Sequence, residues 1–88
     1  GRSKKIINTV EASTRIDAIA SAGFRISRNK ILERIETGML KLNGMTVKKG
    51  TISLKIGDKL QLDNKGFIEI LDLEITKRER WKIKLLRK

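Results

Sequence analysis

The spacing of apolar residues changes at Gly38, and this change restricts the chain to a mixed fold. Before Gly38 the spacing is helical. Between Glu11 and Ala22, Ile16, Ile19 and Ala20 form one stripe, and Glu11 stands four residues before Arg15 as a favourable helical pair. Gly23 is expected to end this helix as its C′ residue. Phe24-Arg25-Ile26 then reads as a short turn, and Ser27 is a good N-cap for a second helix from about Arg28 to Thr37. Ile31, Leu32 and Ile35 would face inward, and Gly38 would stop the helix. The result is a helix–turn–helix of about 25 residues.

After Gly38 the period is two. Met39 to Leu42 reads as a strand, Asn43-Gly44 is a strong short hairpin signal, and Met45-Thr46-Val47 returns as the second strand. Ile56-Gly57-Asp58 should turn the chain into a third strand, Lys59 to Leu62. A turn at Asp63–Gly66 would lead into a longer strand from Phe67 to Thr76. Its apolar phase slips after Ile70, which calls for a bulge near Ile70–Leu71. Lys77 to Arg80 is the last turn, and Trp81 to Leu85 alternates as a closing strand. The expected class is α+β, with the helix–turn–helix packed on a small, mostly antiparallel β-sheet. Residues 1–10 are expected to be an N-terminal extension or linker, and residues 11–88 a single domain with a C-terminal β-hairpin at 67–86. The start, Gly1-Arg2-Ser3-Lys4-Lys5, reads as a processed end, a domain cut from a longer chain, or in part an expression scar.

A chain of 88 residues has material for one core, and only Phe24, Phe67 and Trp81 are aromatic, so that core is aliphatic. There is no histidine and no cysteine, which removes imidazole bases, thiolates, disulfides and the usual zinc ligands. The glycines sit singly at turns rather than in a phosphate loop, and Asp17, Glu33, Glu36 and Asp58 are scattered. No catalysis, cofactor, metal or small-molecule substrate is therefore expected. No apolar run approaches the ~20 residues that span a bilayer.

Charge points to the partner. Twenty-one Lys and Arg against ten Asp and Glu give +11, a balance that repels itself and favours a polyanion. An acidic stretch of Asp63, Glu69, Asp72 and Glu74 against Lys65 interrupts it, so one side of the domain should face away from that partner. Lys30 and Arg34 share a helix face at i,i+4, and Arg25 and Arg28 flank the turn that opens the helix, whose free amides attract phosphate. A solvated basic face is the plainer alternative, with Glu33 and Glu36 partly neutralising it. Lys41, Lys48 and Lys49 add charge around the hairpin, as does the basic terminal strand with Lys82 and Lys84. Asn43 reads first as a turn residue and second as an RNA contact. Trp81 and Phe24 read as packing residues rather than base-stacking platforms. With so few aromatics to stack unpaired bases, recognition should rest on backbone and shape, which favours structured RNA.

Arg15-Ile16-Asp17, Ser27-Arg28-Asn29-Lys30, Ile35, Gly38, Leu40-Lys41-Leu42-Asn43-Gly44, Ser53 and Gly57-Asp58 together resemble the S-four RNA-binding domain, whose helix–turn–helix and hairpin form the alpha-L motif. The resemblance covers about residues 15–62 and departs at Ile16, where leucine is common. Val10 to Phe24 is further similar to S-four-domain proteins of bacterial cell division and photosystem II biogenesis. The resemblance implies binding of rRNA or tRNA on the ribosome, with the large subunit as one candidate, in a bacterial cytoplasm or an organelle stroma. Carried over residue by residue, the implied RNA face is Arg15, Ser27, Arg28, Asn29, Lys30, Arg34, Lys41 and Asn43, with Asp17 holding the turn through Arg28. Arg25, Lys48 and Lys49 join it on charge alone. A monomer is expected. The rivals are an accessory domain of an RNA-modifying enzyme or tRNA synthetase, and a binder of anionic membrane or acidic protein. The second lacks the aromatic-rich amphipathic helix it would need.

Overall fold

The computed structural model describes residues 4–88, so the first three residues of the expected extension lie outside the described residues. The elements are β1 (Lys5–Glu11), α1 (Ile16–Phe24), α2 (Arg28–Glu36), β2 (Leu40–Leu42), β3 (Met45–Thr46), β4 (Lys59–Leu62), β5 (Gly66–Ile75) and β6 (Trp81–Arg87). The six strands form one antiparallel sheet in the order β1-β6-β5-β4-β2-β3. Both helices lie on one face of it. This is the α+β arrangement that the change of period at Gly38 implies.

Alternation in the strands sets the core. Leu40, Leu60, Leu62, Ile68, Ile70, Ile83 and Leu85 turn toward the helices and meet Ile16, Ile19, Phe24, Ile31 and Ile35, all buried. Lys41, Gln61, Glu69, Asp72, Glu74, Lys82 and Lys84 fall on the other face of the sheet. The register slips between Ile70 and Asp72, so Leu73 and Ile75 rejoin the phase of Ile83 and Trp81. This is the bulge that the slip of apolar phase after Ile70 requires.

Three local expectations are corrected. Residues 5–10 are not an extension, because β1 pairs with β6 over seven residues from Lys5↔Arg87 to Glu11↔Trp81. The first helix starts at Ile16 rather than Glu11, so Glu11 and Arg15 make no helical pair. Backbone carbonyls decide where it starts: Ile16 N–H donates to Ile52 O at 2.7 Å and Asp17 N–H to Gly50 O at 3.2 Å. Gly23 is not the C′ residue but lies inside α1, and Arg25 takes the left-handed position at φ 61°. A Cβ on Gly23 would overlap Ile68 Cδ1 and lie 3.1 Å from Leu85 Cδ1, so glycine allows the close approach of helix to sheet. The Asn43-Gly44 turn has φ of 50° and 85°, the pair of positive angles that a type I′ hairpin demands. Among the described residues, no helix is long and apolar enough to cross a membrane.

Candidate nucleic-acid interface

The two helix N-termini differ in what they leave open. At α1 the amides of Ile16 and Asp17 are taken by the loop carbonyls, and Ala18 N–H donates to Asp17 Oδ1 at 2.8 Å. At α2, Ser27 Oγ accepts from Lys30 N–H at 3.1 Å and Ser27 O from Ile31 N–H at 3.0 Å, which confirms the N-cap. The amides of Arg28 and Asn29 find no acceptor among the described residues, and Ser27, Arg28 and Asn29 are all exposed. The end of α2 is thus the helix terminus equipped to receive an anion.

A loop from Val47 to Asp58 brings further cations beside it. Gly50 is wedged between the helices, since a Cβ there would lie 2.7 Å from Leu32 Cδ2 and 3.3 Å from Asp17 Cβ. Ser53 forms a β-bridge with Arg15, and Leu54 N–H donates to Thr14 O at 2.9 Å. Exposed Lys48 and Lys49 immediately precede Gly50, which packs against Leu32 of α2 and Asp17 of α1. Leu32, expected inward, is 43% exposed. Asp17 does not bridge to Arg28. It is 4% exposed and takes a two-point contact from Arg15, Nε at 3.2 Å and Nη2 at 2.8 Å. That pair fixes the Arg15 guanidinium and offsets part of its charge.

The other expected site residues are not brought to this patch. At about 100° per residue, Lys30 and Arg34 stand on the far side of the buried Ile31–Ile35 stripe from Arg28, so α2 has two basic flanks rather than one basic face. Arg34 is partly covered, with Nη1 3.9 Å from Met39 Sδ. Lys41 pairs with Gln61 and Thr46 on the sheet face opposite the helices. Asn43 is engaged at both ends: Nδ2 donates to Asp58 Oδ1 at 3.0 Å and Oδ1 accepts from Lys59 N–H at 2.9 Å. Asp58, buried, also accepts from Lys55 N–H at 2.8 Å. Asn43 thus has a structural use that ties the hairpin to the loop. Arg25 turns to a separate cleft with Phe24 and Arg87.

Sequence reasoning missed Arg80. It comes from the β5–β6 turn and faces Arg28 across a groove between α1 and the end of β1, where Glu11 also sits. Nothing local marks it, because the groove depends on β1 pairing with β6. The terminal lysines have partners of their own on the outer sheet face. Lys84 stands opposite Asp72, and Lys82 Nζ is 3.8 Å from Glu74 with both side chains well exposed. Glu69, Asp72 and Glu74 therefore lie on the sheet face opposite the helices, where they balance the basic strand beside them.

The assembly is a small α+β domain of high positive charge, with an open helix N-terminus and clustered cations on its helical side. Residues 4–66, well over half the chain, match the family of the C-terminal domain of mitochondrial transcription rescue factor 1, and the chain belongs to that family. The matched region takes in β1, so the family's domain includes this strand. A comparison with curated proteins finds no match.

Proposed function

We propose that this chain is a non-catalytic RNA-binding domain of the S-four, alpha-L type, contacting the backbone of folded rRNA or tRNA in association with the ribosome. The observation that carries this is the open α2 N-terminus with exposed Arg28 on it, together with the exposed Lys48 and Lys49 that lead into the Gly50 wedge between the helices, in a chain of net charge +11. Phosphates need such donors, and duplex RNA offers little else to a surface poor in aromatics. The order of helix, turn, helix and Asn-Gly hairpin is the order that the S-four resemblance implies. The family's description names a mitochondrial transcription rescue factor, and an organelle interior is the location we infer.

The test is a titration against folded rRNA, tRNA, duplex DNA and anionic vesicles at three salt concentrations. If roughly 4–6 phosphates are neutralised, log K for folded RNA falls with log salt at a slope of about −3 to −5. Arg28→Glu lowers that affinity about tenfold or more and leaves the thermal unfolding midpoint in place, since surface changes seldom exceed ~0.5 kcal/mol. Equal binding to all four polyanions would refute the reading.

A further inference from the structure

A second group of cations lies away from the α2 N-terminus. Lys5 from β1, Arg25 from the inter-helix turn, Lys65 from the β4–β5 turn, Arg87 at the end of β6 and Lys88 after it line one open cleft of about 540 Å³ above Phe24. No acidic side chain lines it. Arg87 organises the cleft. Its Nη1 donates to Gly23 O at 2.9 Å and its Nη2 to Lys65 O at 3.0 Å, and its guanidinium lies 5.6 Å from the centre of the Phe24 ring. Lys88 is similarly placed over Phe67, 5.2 Å from the ring centre. These contacts hold two cationic side chains in place over aromatic rings instead of leaving them to swing in solvent.

The plainer account is that these residues neutralise the negative end of α1. That end amounts to about half an elementary charge. Two of its carbonyls are also already occupied: Ser21 O accepts from the amides of Arg25 and Ile26, and Gly23 O accepts from Arg87. Five cations exceed what half a charge can balance, and Lys5, Arg25, Lys65 and Lys88 have no carboxylate within salt-bridge distance among the described residues. An anion from outside supplies what the cleft lacks.

We propose that this cleft is a second phosphate-backbone site for the same RNA, resting on the RNA-binding reading above. Lys5 lies in this cleft and Glu11 borders the Arg28–Arg80 groove. The far ends of the two, at Lys5 and Glu11, are therefore about 20 Å apart along β1 at 3.3 Å per residue. One phosphate group cannot fill both, whereas a nucleic-acid backbone can. Arg25 and Arg28 flank the turn between them, so the backbone's path runs along the helical side. Arg25 then acts through this site and not as part of the α2 patch.

The test is Lys5→Gln/Lys65→Gln/Lys88→Gln in the full chain, with Arg87 kept because it holds the fold. Parent, triple variant and Arg28→Glu are titrated with the same folded RNA across salt. The triple variant should keep the parent's circular dichroism and unfolding midpoint, bind about tenfold more weakly at 0.15 M salt, and lose about 1–2 from the slope. Inorganic tripolyphosphate should shift the amide resonances of Arg25, Lys65 and Gly66 in the parent and not in the variant. An unchanged slope in the triple variant, with Arg28→Glu still impaired, overturns the second site and leaves the first standing. Loss of binding to phosphatidylglycerol vesicles with RNA affinity intact overturns it too, by giving the cleft to a membrane. Absence of RNA binding by the parent refutes the underlying reading instead.

Discussion

Replacing Gly23 by alanine sets a gain in helix propensity against a clash whose partners are known. Alanine inside a helix is better than glycine by about 1 kcal/mol, so a freely placed helix would become more stable. Here the new methyl overlaps Ile68 Cδ1 and comes within 3.1 Å of Leu85 Cδ1. Ile68 and Leu85 are fully buried on adjacent strands β5 and β6, so neither terminal methyl has free space to enter. Overpacking costs roughly 1–3 kcal/mol, and with both methyls enclosed the upper part of that range, about 2–3 kcal/mol, applies. The net expectation is a loss of about 1–2 kcal/mol, or a melting point lower by roughly 5–10 °C in a domain of this size. Urea denaturation followed by tryptophan fluorescence reads it directly through Trp81. Ile68→Val removes the offending Cδ1 and alone costs about 0.5–1.5 kcal/mol. In the double variant the two losses should add to less than their sum by at least about 0.5 kcal/mol. A neutral or stabilising Gly23→Ala would refute the close seating of α1 on the sheet, and strict additivity would refute Ile68 as the cause.

Two further outcomes separate structural roles from binding roles. Asn43→Ala removes both hydrogen bonds that join the hairpin to Asp58 and Lys59 and should lower stability by about 1–3 kcal/mol in urea. An unchanged stability together with lost RNA affinity would move Asn43 from the scaffold to the interface. Lys41→Glu, on the sheet face opposite the helices, should change RNA affinity less than threefold where Arg28→Glu changes it tenfold. Equal losses in the two variants would place RNA on both faces and refute a one-sided interface.

The parts of the fold that sequence made legible are those governed by neighbours along the chain. Ser27 caps α2 because its own Oγ reaches the amide three residues on, and Asn43-Gly44 turns because both residues accept positive φ. The slip of phase after Ile70 is likewise local. The failures share a different cause. Among the described residues β1 finds its sheet partner at the other end of the chain, so Lys5–Glu11 carries no neighbouring signal of what it pairs with. The start of α1 is set by carbonyls of residues 50 and 52, and a backbone carbonyl leaves no mark in side-chain identity. Gly23 looks like helix punctuation in the sequence, but its purpose is contact with two distant side chains.

The same distinction governs the candidate interface. Residue type identified the cations, but helical geometry separated Lys30 and Arg34 from Arg28, and the sheet carried Lys41 to the other side. Gly50 lets the loop sit between Asp17 and Leu32 and so holds the segment that carries Lys48 and Lys49 on the helical side. Arg80 and the cleft of Lys5, Lys65 and Lys88 depend in turn on β1 closing against β6. That closure therefore bears on function as well as stability. Weakening β1–β6 pairing should disturb the Arg28–Arg80 groove and the Arg87 cleft together, while the α2 cap and the Asn43 hairpin, held by contacts within residues 27–59, should survive it.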